Sequence, residues 1–152
     1  MKALFDLPFV LRELQSVLYE PLCQKYNFSL TEILILNALA EDHQKNTATH
    51  IVKKLRLTKS HISTSIHDLI DRGYLIAQHE GNDHRSIPLH LCDSALSVIE
   101  ESNTIREKYI ALLQNDFSAE EMKIFCEQLY RLMNNAAVYL ETAATQKKSK
   151  LE

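Results

Sequence analysis

The fold is decided by the stretch TKSHISTSIHDLIDRG, residues 58–73, and by YLIAQHEGNDHRSIPLHL, residues 74–91, which follows it. Apolar residues recur every three or four positions as far as Ile70, which predicts a helix of about fourteen residues with one apolar face. Thr58 can cap the start of this helix. Gly73 can end it, because glycine adopts the left-handed cap conformation without steric cost.

After Gly73 the sequence changes from a helical period to a period of two. Tyr74–Gln78 has the pattern of a strand, residues 80–83 have the composition of a turn, and Ser86–Leu91 alternates as a second strand. Pro88 suits an edge strand, because it has no amide hydrogen to offer a neighbouring strand. The pattern therefore predicts a β-hairpin directly behind the helix.

The residues before this stretch predict three further helices, of which the first two are longer than the third. The first covers about residues 5–26, and Pro21 is expected to kink it or to end it early. Ser29 and Glu32 have the spacing of a capping box, in which each residue satisfies a backbone amide near the other. This box predicts the start of a second helix that runs to about Asp42.

Thr47 is placed to cap a short third helix over residues 48–55. Only a tight link separates this helix from the one that begins after Thr58. Two helices joined so closely, with a hairpin behind the second, predict a helix-turn-helix followed by a wing. The fold class is therefore mainly α with a small β wing.

Two longer helices are expected after the hairpin. The fifth covers about residues 95–114, and Ser118–Glu121 is a second capping-box pattern that opens a sixth helix to about residue 145. The sixth helix carries an apolar stripe at helical spacing. Residues 147–152 form a short basic tail whose last two residues have the appearance of a cloning scar.

The composition excludes several classes of protein. No run approaches the roughly 18 apolar residues that span a bilayer, and the N-terminus lacks the features of a signal peptide. The three cysteines are far apart and odd in number, which predicts neither a disulfide framework nor a C-x-x-C metal pair. These features predict a cytoplasmic protein with no membrane partner.

Common catalytic patterns are also missing from the sequence. It contains no glycine-rich phosphate loop, no G-x-S-x-G and no H-E-x-x-H, so we expect no enzyme, no catalytic residue and no cofactor. Glu41, Asp42 and His43 cluster as possible metal ligands, but no histidine after His90 could complete a site from the fifth helix. No metal is expected.

The charge is distributed unevenly along the chain. The whole sequence has a formal net charge of −3, but residues 44–90 carry seven lysines and arginines against four carboxylates. All seven histidines lie in or beside this segment. A locally basic centre with acidic flanks is typical of a DNA-binding module inside a larger scaffold, although an excess of this size also arises by chance.

The polar face of the fourth helix is the first candidate binding surface. A recognition helix packs one face on the core and shows short polar and basic side chains to a DNA groove, where they contact bases and phosphates. The alternative interpretation is a solvated amphipathic helix, which the hairpin behind it makes less favourable. The candidate DNA-binding residues on this helix are Thr58, Lys59, Ser60, His61, Ser63, Thr64 and His67.

The tip of the hairpin is the second candidate. Asp83 and Arg85 flank one residue there, so the carboxylate can orient a basic neighbour while the arginine enters the narrow minor groove. The alternative is a surface ion pair worth less than about 1 kcal/mol.

Residues 55–91 resemble the multiple-antibiotic-resistance regulator (MarR) family. The resemblance is carried by the helix end Asp71-Arg72-Gly73-Tyr74 and the wing Asp83-His84-Arg85-Ser86, and the helix order extends it over nearly the whole chain. It implies a homodimer built from the first, fifth and sixth helices that reads a pseudo-palindromic operator in double-stranded DNA. It also implies that the fourth helix enters the major groove and that Arg85 enters the minor groove.

This resemblance completes the expected domain organisation. Residues 1–28 and 93–146 are expected to form the dimerisation helices, and residues 29–92 the winged helix-turn-helix that binds DNA. The resulting prediction is a sequence-specific transcription regulator, most often a repressor. The alternative is a winged-helix dimer that serves as a protein-interaction or ligand-binding module without operator binding.

Many members of the family release DNA when a small aromatic acid binds between the dimer helices and the winged domain. By this resemblance an effector site is expected near Arg12, Tyr19, Tyr26 and His43, with Phe28 beside them, although packing in the core and at an interface explains the same residues. Cys23 is interpreted as a buried structural thiol rather than an oxidation sensor.

Overall fold

A computed structural model of the chain contains six helices and a two-stranded antiparallel sheet within the residues that it describes, 2–42, 46–78 and 87–148, with side chains to residue 143. The expected fold class is confirmed. The elements are, in order, α1 (Lys2–Tyr26), α2 (Leu30–Glu41), α3 (Ala48–Leu55), α4 (Lys59–Asp71), β1 (Leu75–Ala77), β2 (Leu89–Leu91), α5 (Ser94–Gln114) and α6 (Ala119–Lys148).

Helix α1 ends at Tyr26, where the sequence pattern ends it, and it continues through Pro21, so of the two expectations for Pro21 the early end is wrong. A kink at Pro21 stays a prediction. An internal proline removes one helical hydrogen bond and costs about 3 kcal/mol. Tyr19 and Leu22 lie on either side of Pro21 and are both buried in the core. We attribute the continuity of the helix to this packing, which offsets the lost hydrogen bond.

The expected caps are present at the starts of α2, α3 and α4. The hydroxyl of Ser29 accepts a hydrogen bond from the amide of Glu32, and the Glu32 carboxylate accepts one from the amide of Ser29 at 2.6 Å. The hydroxyls of Thr47 and Thr58 accept from the amides three residues later. Each cap satisfies an amide that the first turn of the helix leaves without a partner.

The end of α4 follows the chemistry predicted for Gly73. This residue has a φ of 74°, and its amide donates to the carbonyl of Ile70. The amide of Tyr74 donates to the carbonyl of Leu69 at 2.9 Å. This pair of bonds is a Schellman motif, which turns the chain sharply from the helix into β1.

The two strands are shorter than the sequence pattern predicts. Leu75 pairs with Leu91 and Ala77 with Leu89 in an antiparallel register. The described sheet has two strands, so β2 is an edge strand, and Pro88 directly precedes it. Pro88 also forms an isolated bridge with Thr47 on the other side. The amide of Leu89 supports this bridge by donating to the carbonyl of Asn46 at 2.8 Å.

The hydrophobic core lies where α2 contacts α1, α3, α4 and β2. Helix α2 contributes most to it, because it is apolar on nearly all sides and its residues Ile33, Ile35 and Leu36 are fully buried. A helix with this pattern is buried on all sides rather than lying at a surface. It therefore forms the base on which the helix-turn-helix packs.

The chain divides into two compact units, residues 1–110 and 111–152. The first contains the helix-turn-helix, the sheet and α1. The second contains the end of α5 and α6, which is 30 residues long and begins at a capping box formed by Ser118 and Glu121. In the part of the chain described, no helix is long and apolar enough to cross a membrane.

Candidate nucleic-acid interface

Helix α4 has a buried face and an exposed face, as a recognition helix requires. Ile62, Ile66 and Leu69 are buried in the core and hold the helix against α2 and α3. All seven candidate DNA-binding residues between positions 58 and 67 are exposed: Thr58, Lys59, Ser60, His61, Ser63, Thr64 and His67. The structure therefore brings these predicted residues together on one surface.

The exposed face of α4 is polarised along the helix. Lys59 is at the N-terminal end, where the free backbone amides and the helix dipole also favour an anion. Asp68 and Asp71 are exposed near the C-terminal end. Phosphates are therefore attracted to the first turns of the helix and repelled from the last.

The neighbouring helix adds positive charge that the sequence analysis did not assign to this surface. Lys53 is exposed on α3, and Arg56 is exposed in the turn between α3 and α4. Arg56 has a φ of 54°, the left-handed conformation that closes the end of α3. The basic segment 53–56 was visible in the sequence, but the structure shows that Arg56 lies in the turn two residues before the N-cap of α4.

The predicted wing residues Asp83 and Arg85 lie outside the described residues, as does His43 of the expected effector site. The sheet at the base of the wing is described. It connects to the core through Leu75 and Leu89, which are both buried. The role of the wing tip stays a prediction.

A single side chain connects the end of α4 to two other helices, and the sequence analysis assigned it no contact. The guanidinium of Arg72 donates hydrogen bonds to the carbonyl oxygens of Tyr26 at 2.5 Å and Asn27 at 2.9 Å. It also lies 3.5 Å from a carboxylate oxygen of Glu32 and stacks over the ring of Phe28 at 4.1 Å. No local sequence signal marks these contacts, because the partners are some 40 positions away.

The expected effector residues are separated in the structure. Tyr19 is buried, and its hydroxyl lies 3.2 Å from that of Ser102 on α5. Tyr26 instead donates to Glu101 at 2.7 Å. Arg12 is exposed on α1.

Tyr19 lines a cavity of about 270 Å³ between α1, α2, α3 and α5, and neither Arg12 nor Tyr26 is among its described lining residues. Asn37 lines it as well, and within the described chain the buried Oδ1 of Asn37 has no hydrogen-bond partner. The cavity wall also includes Tyr109, Glu41, Lys54 and Arg106.

Three charged side chains of this cavity form one ionic cluster. Glu41 pairs with Lys54 at 2.8 Å and with Arg106 through its other oxygen. The hydrogen bond from Lys54 and then that from Arg106 hold the pKa of the Glu41 carboxyl below its usual range, although burial acts in the opposite direction. One carboxylate thus serves two cations, which leaves the cluster with a net positive charge.

Two further kinds of site were considered, an oxidation-sensing thiol at Cys23 and a metal site. Burial raises the pKa of the Cys23 thiol, which disfavours the reactive thiolate form. Among the described residues, no three histidine, cysteine or acidic side chains are grouped so that they could hold a metal ion.

The comparison with protein families decides the identity of the central segment. The model of the MarR family matches residues 26–86, which contain the helix-turn-helix and the predicted wing tip. Residues 26–86 are therefore similar to the MarR family. This is a family of DNA-binding transcription regulators, and the resemblance inferred from the sequence is confirmed. No curated protein has a significant sequence match to the chain.

Solved structures share the fold across most of the chain. A MarR family transcriptional regulator from Listeria monocytogenes, complexed with a 26mer DNA, has a TM-score of 0.78 at 19% identity, with 88% of each chain covered. A MarR/EmrR family regulator from Acinetobacter sp. ADP1 has a TM-score of 0.75 at 18% identity, with 90% of this chain and 95% of that one covered. MepR from S. aureus in complex with DNA has a TM-score of 0.72 at 17% identity, with 86% and 93% covered.

Proposed function

We propose that the protein is a sequence-specific DNA-binding transcription regulator that binds a pseudo-palindromic operator as a homodimer and represses transcription. The observation that carries this proposal is the exposed face of α4, which presents hydroxyl, imidazole and ammonium groups while its opposite face is buried. Two solved structures with this fold are complexes with DNA, which supports DNA as the partner. In this proposal residues 29–92 bind DNA, and Arg85 at the wing enters the minor groove.

The terminal helices support the homodimer. Large apolar side chains are exposed on α1 and α6, among them Phe5 at 69%, Phe9 at 72%, Tyr130 at 72% and Met133 at 57%. Apolar surface of this extent marks an interface, since no helix within the described residues could cross a membrane. A second copy of the chain, paired through residues 1–28 and 93–146, is the proposed partner.

The direct test is fluorescence anisotropy on duplex DNA from immediately upstream of the protein's own gene. Excess nonspecific competitor and a salt series are included. The proposal expects competitor-resistant binding that saturates at one dimer per site and weakens steeply with salt. Sedimentation equilibrium of the protein alone checks the dimer. If the protein does not bind this DNA, binding sites are selected from a random duplex library. If no site is selected, the alternative holds, a winged-helix dimer that binds a protein or a ligand.

Replacing Lys59 with alanine is expected to flatten the salt dependence of operator binding. Each phosphate contact that is lost reduces the slope of log K against log salt by about 0.9. The measurement is the slope from the anisotropy series, and Lys123→Ala on α6 is the matched control because it removes the same charge elsewhere. A Lys59→Ala slope equal to that of the control would show that Lys59 contacts no phosphate.

We also propose that a small aromatic acid releases the protein from DNA by binding the cavity beside Tyr19. Two tyrosines line the cavity, and its ionic cluster has one more cation than anion, which favours a monoanion. The unpartnered Oδ1 of Asn37 can accept a hydrogen bond from a donor on the ligand. Because the wall includes α3 as well as α1 and α5, a ligand there would change the orientation of the winged helix-turn-helix, residues 29–92, relative to α1 and α5.

Salicylate is the probe for this cavity, and benzamide is the matched neutral control. Salicylate is expected to bind by calorimetry and to lower operator affinity, while benzamide does neither. Arg106→Gln is expected to weaken salicylate binding about tenfold or more, the loss of one charge-assisted hydrogen bond. Equal binding of salicylate to Arg106→Gln and to the native chain would place the site elsewhere.

A further inference from the structure

Arg72 joins three helix ends in one contact. It follows the last residue of α4, and it donates to the two carbonyl oxygens at the end of α1, those of Tyr26 and Asn27. Its partner Glu32 lies in the first turn of α2.

The surroundings of Arg72 hold its side chain in one position. Its guanidinium carbon lies 4.1 Å from the centre of the Phe28 ring and 5.5 Å from the centre of the Tyr74 ring. The two rings meet edge to face at 4.8 Å. Glu32 is buried, with one carboxylate oxygen on Ser29 and the other facing Arg72. A planar guanidinium that lies against an aromatic ring and is hydrogen-bonded through both terminal nitrogens has little freedom to move.

The contact continues from α1 to α5. Tyr26 accepts the Arg72 bond with its carbonyl oxygen and donates its own hydroxyl to Glu101, 2.7 Å away. Lys25 also pairs with Glu101 at 2.7 Å, and this hydrogen bond raises the pKa of the Lys25 ammonium. The end of α1 is therefore bound on one side to a helix of the proposed dimer and on the other to the recognition helix.

We propose that Arg72 is a positioning residue that fixes the orientation of α4 relative to α1 and thereby sets the spacing of the two operator half-sites. The inference rests on the proposed binding of a two-site operator by a dimer. Only the three residues 27–29 separate α1 from α2. A change in the angle between these two helices would therefore move the whole winged helix-turn-helix relative to α1. Half-sites lie about one helical turn apart, so small angular changes alter which spacing both α4 helices can fit.

A distance measurement without DNA tests the positioning itself. Nitroxide labels attached through p-acetylphenylalanine at the exposed positions Ser16 on α1 and His67 on α4 leave the native cysteines unmodified. Diluting labelled chains with an excess of unlabelled chains leaves only the distance within one chain. The distribution is expected to become about twofold broader in Arg72→Met, as a locally loosened joint requires. It is expected to stay unchanged in Arg131→Met, where the arginine bonds only Gln128 of its own helix in the described contacts.

The second arm measures affinity for an operator with its natural spacing and with one base pair inserted or removed at the centre, which shifts the half-sites by about 3.4 Å. The native protein and Arg131→Met are expected to lose tenfold or more on either change, and Arg72→Met less than threefold. Arg72→Lys keeps the charge but cannot bond two carbonyls in one plane, so it is expected to resemble Arg72→Met. If Arg72→Lys resembled the native protein, charge alone would explain the residue.

The two arms separate the possible failures. An unchanged distance distribution in Arg72→Met overturns the positioning role whether or not an operator is bound. A broadened distribution together with native spacing preference overturns the link to half-site spacing. Absence of operator binding by the native protein contradicts the proposed function, while the distance measurement still decides whether Arg72 fixes α4.

Discussion

Substituting Ser63→Glu is expected to weaken operator binding about hundredfold, because a carboxylate placed against the phosphates adds like-charge repulsion of about 2.7 kcal/mol. Ser63 is exposed on α4, one turn beyond Lys59, and both line the groove between α3 and α4. Glutamate is a strong helix former, and the position is exposed. The free energy of unfolding should therefore change by less than about 0.5 kcal/mol.

The measurement pairs anisotropy on the operator with thermal unfolding followed by circular dichroism. Asn103→Glu is the matched control, because it adds the same charge to an exposed position on α5. The control is expected to bind nearly as tightly as the native protein. A similar loss in both variants would attribute the effect to net charge, and an unchanged affinity in Ser63→Glu would remove the exposed face of α4 from the interface.

Some features of the fold depend on neighbouring residues, and these could be predicted from the sequence. The caps at Ser29, Thr47 and Thr58 were predictable because each depends on a side chain and an amide three residues away. The same holds for the Schellman end at Gly73. Local chemistry of this kind also defined which face of α4 is buried, and with it the candidate DNA-binding residues.

Features that depend on contacts between distant residues were not predictable in this way. The continuity of α1 through Pro21 depends on packing of Tyr19 and Leu22 in the core. The pairing of Pro88 with Thr47 joins positions 41 residues apart. At Pro21 a local rule about proline was outweighed by a tertiary contact.

The cavity and the Arg72 contact were also not predictable, because both are formed by side chains from distant parts of the sequence. Tyr19 was expected to take part in an effector site, but its neighbours Lys54 and Arg106 come from helices that the sequence does not place beside it. Arg72 was noted only as part of a family motif. Its contacts with Tyr26 and Glu32 appear only when the ends of α1, α2 and α4 converge.

Substituting Ile62→Ala is expected to lower the free energy of unfolding by about 2–5 kcal/mol, the cost of removing buried methylene groups and leaving a cavity. Ile62 has no exposed surface and is one of the three core anchors of α4. Urea unfolding followed by circular dichroism measures this loss of unfolding free energy. The loss is a large fraction of the total for a typical domain, which is roughly 5–15 kcal/mol. Ile62→Val removes one methylene and is expected to cost only about 0.5–1.5 kcal/mol.

The DNA affinity of Ile62→Val connects this core position to function. Its side chain faces away from the exposed residues of α4, so operator affinity per folded protein should equal that of the native chain. Ser63→Glu, at the next position, is expected to show the reverse: native stability and lost affinity. This opposition at adjacent residues follows from the helical period, which places Ile62 on the core side and Ser63 on the exposed side. A loss of affinity in Ile62→Val at unchanged folding would mean that α4 must be positioned by core packing more tightly than the Arg72 contact alone provides.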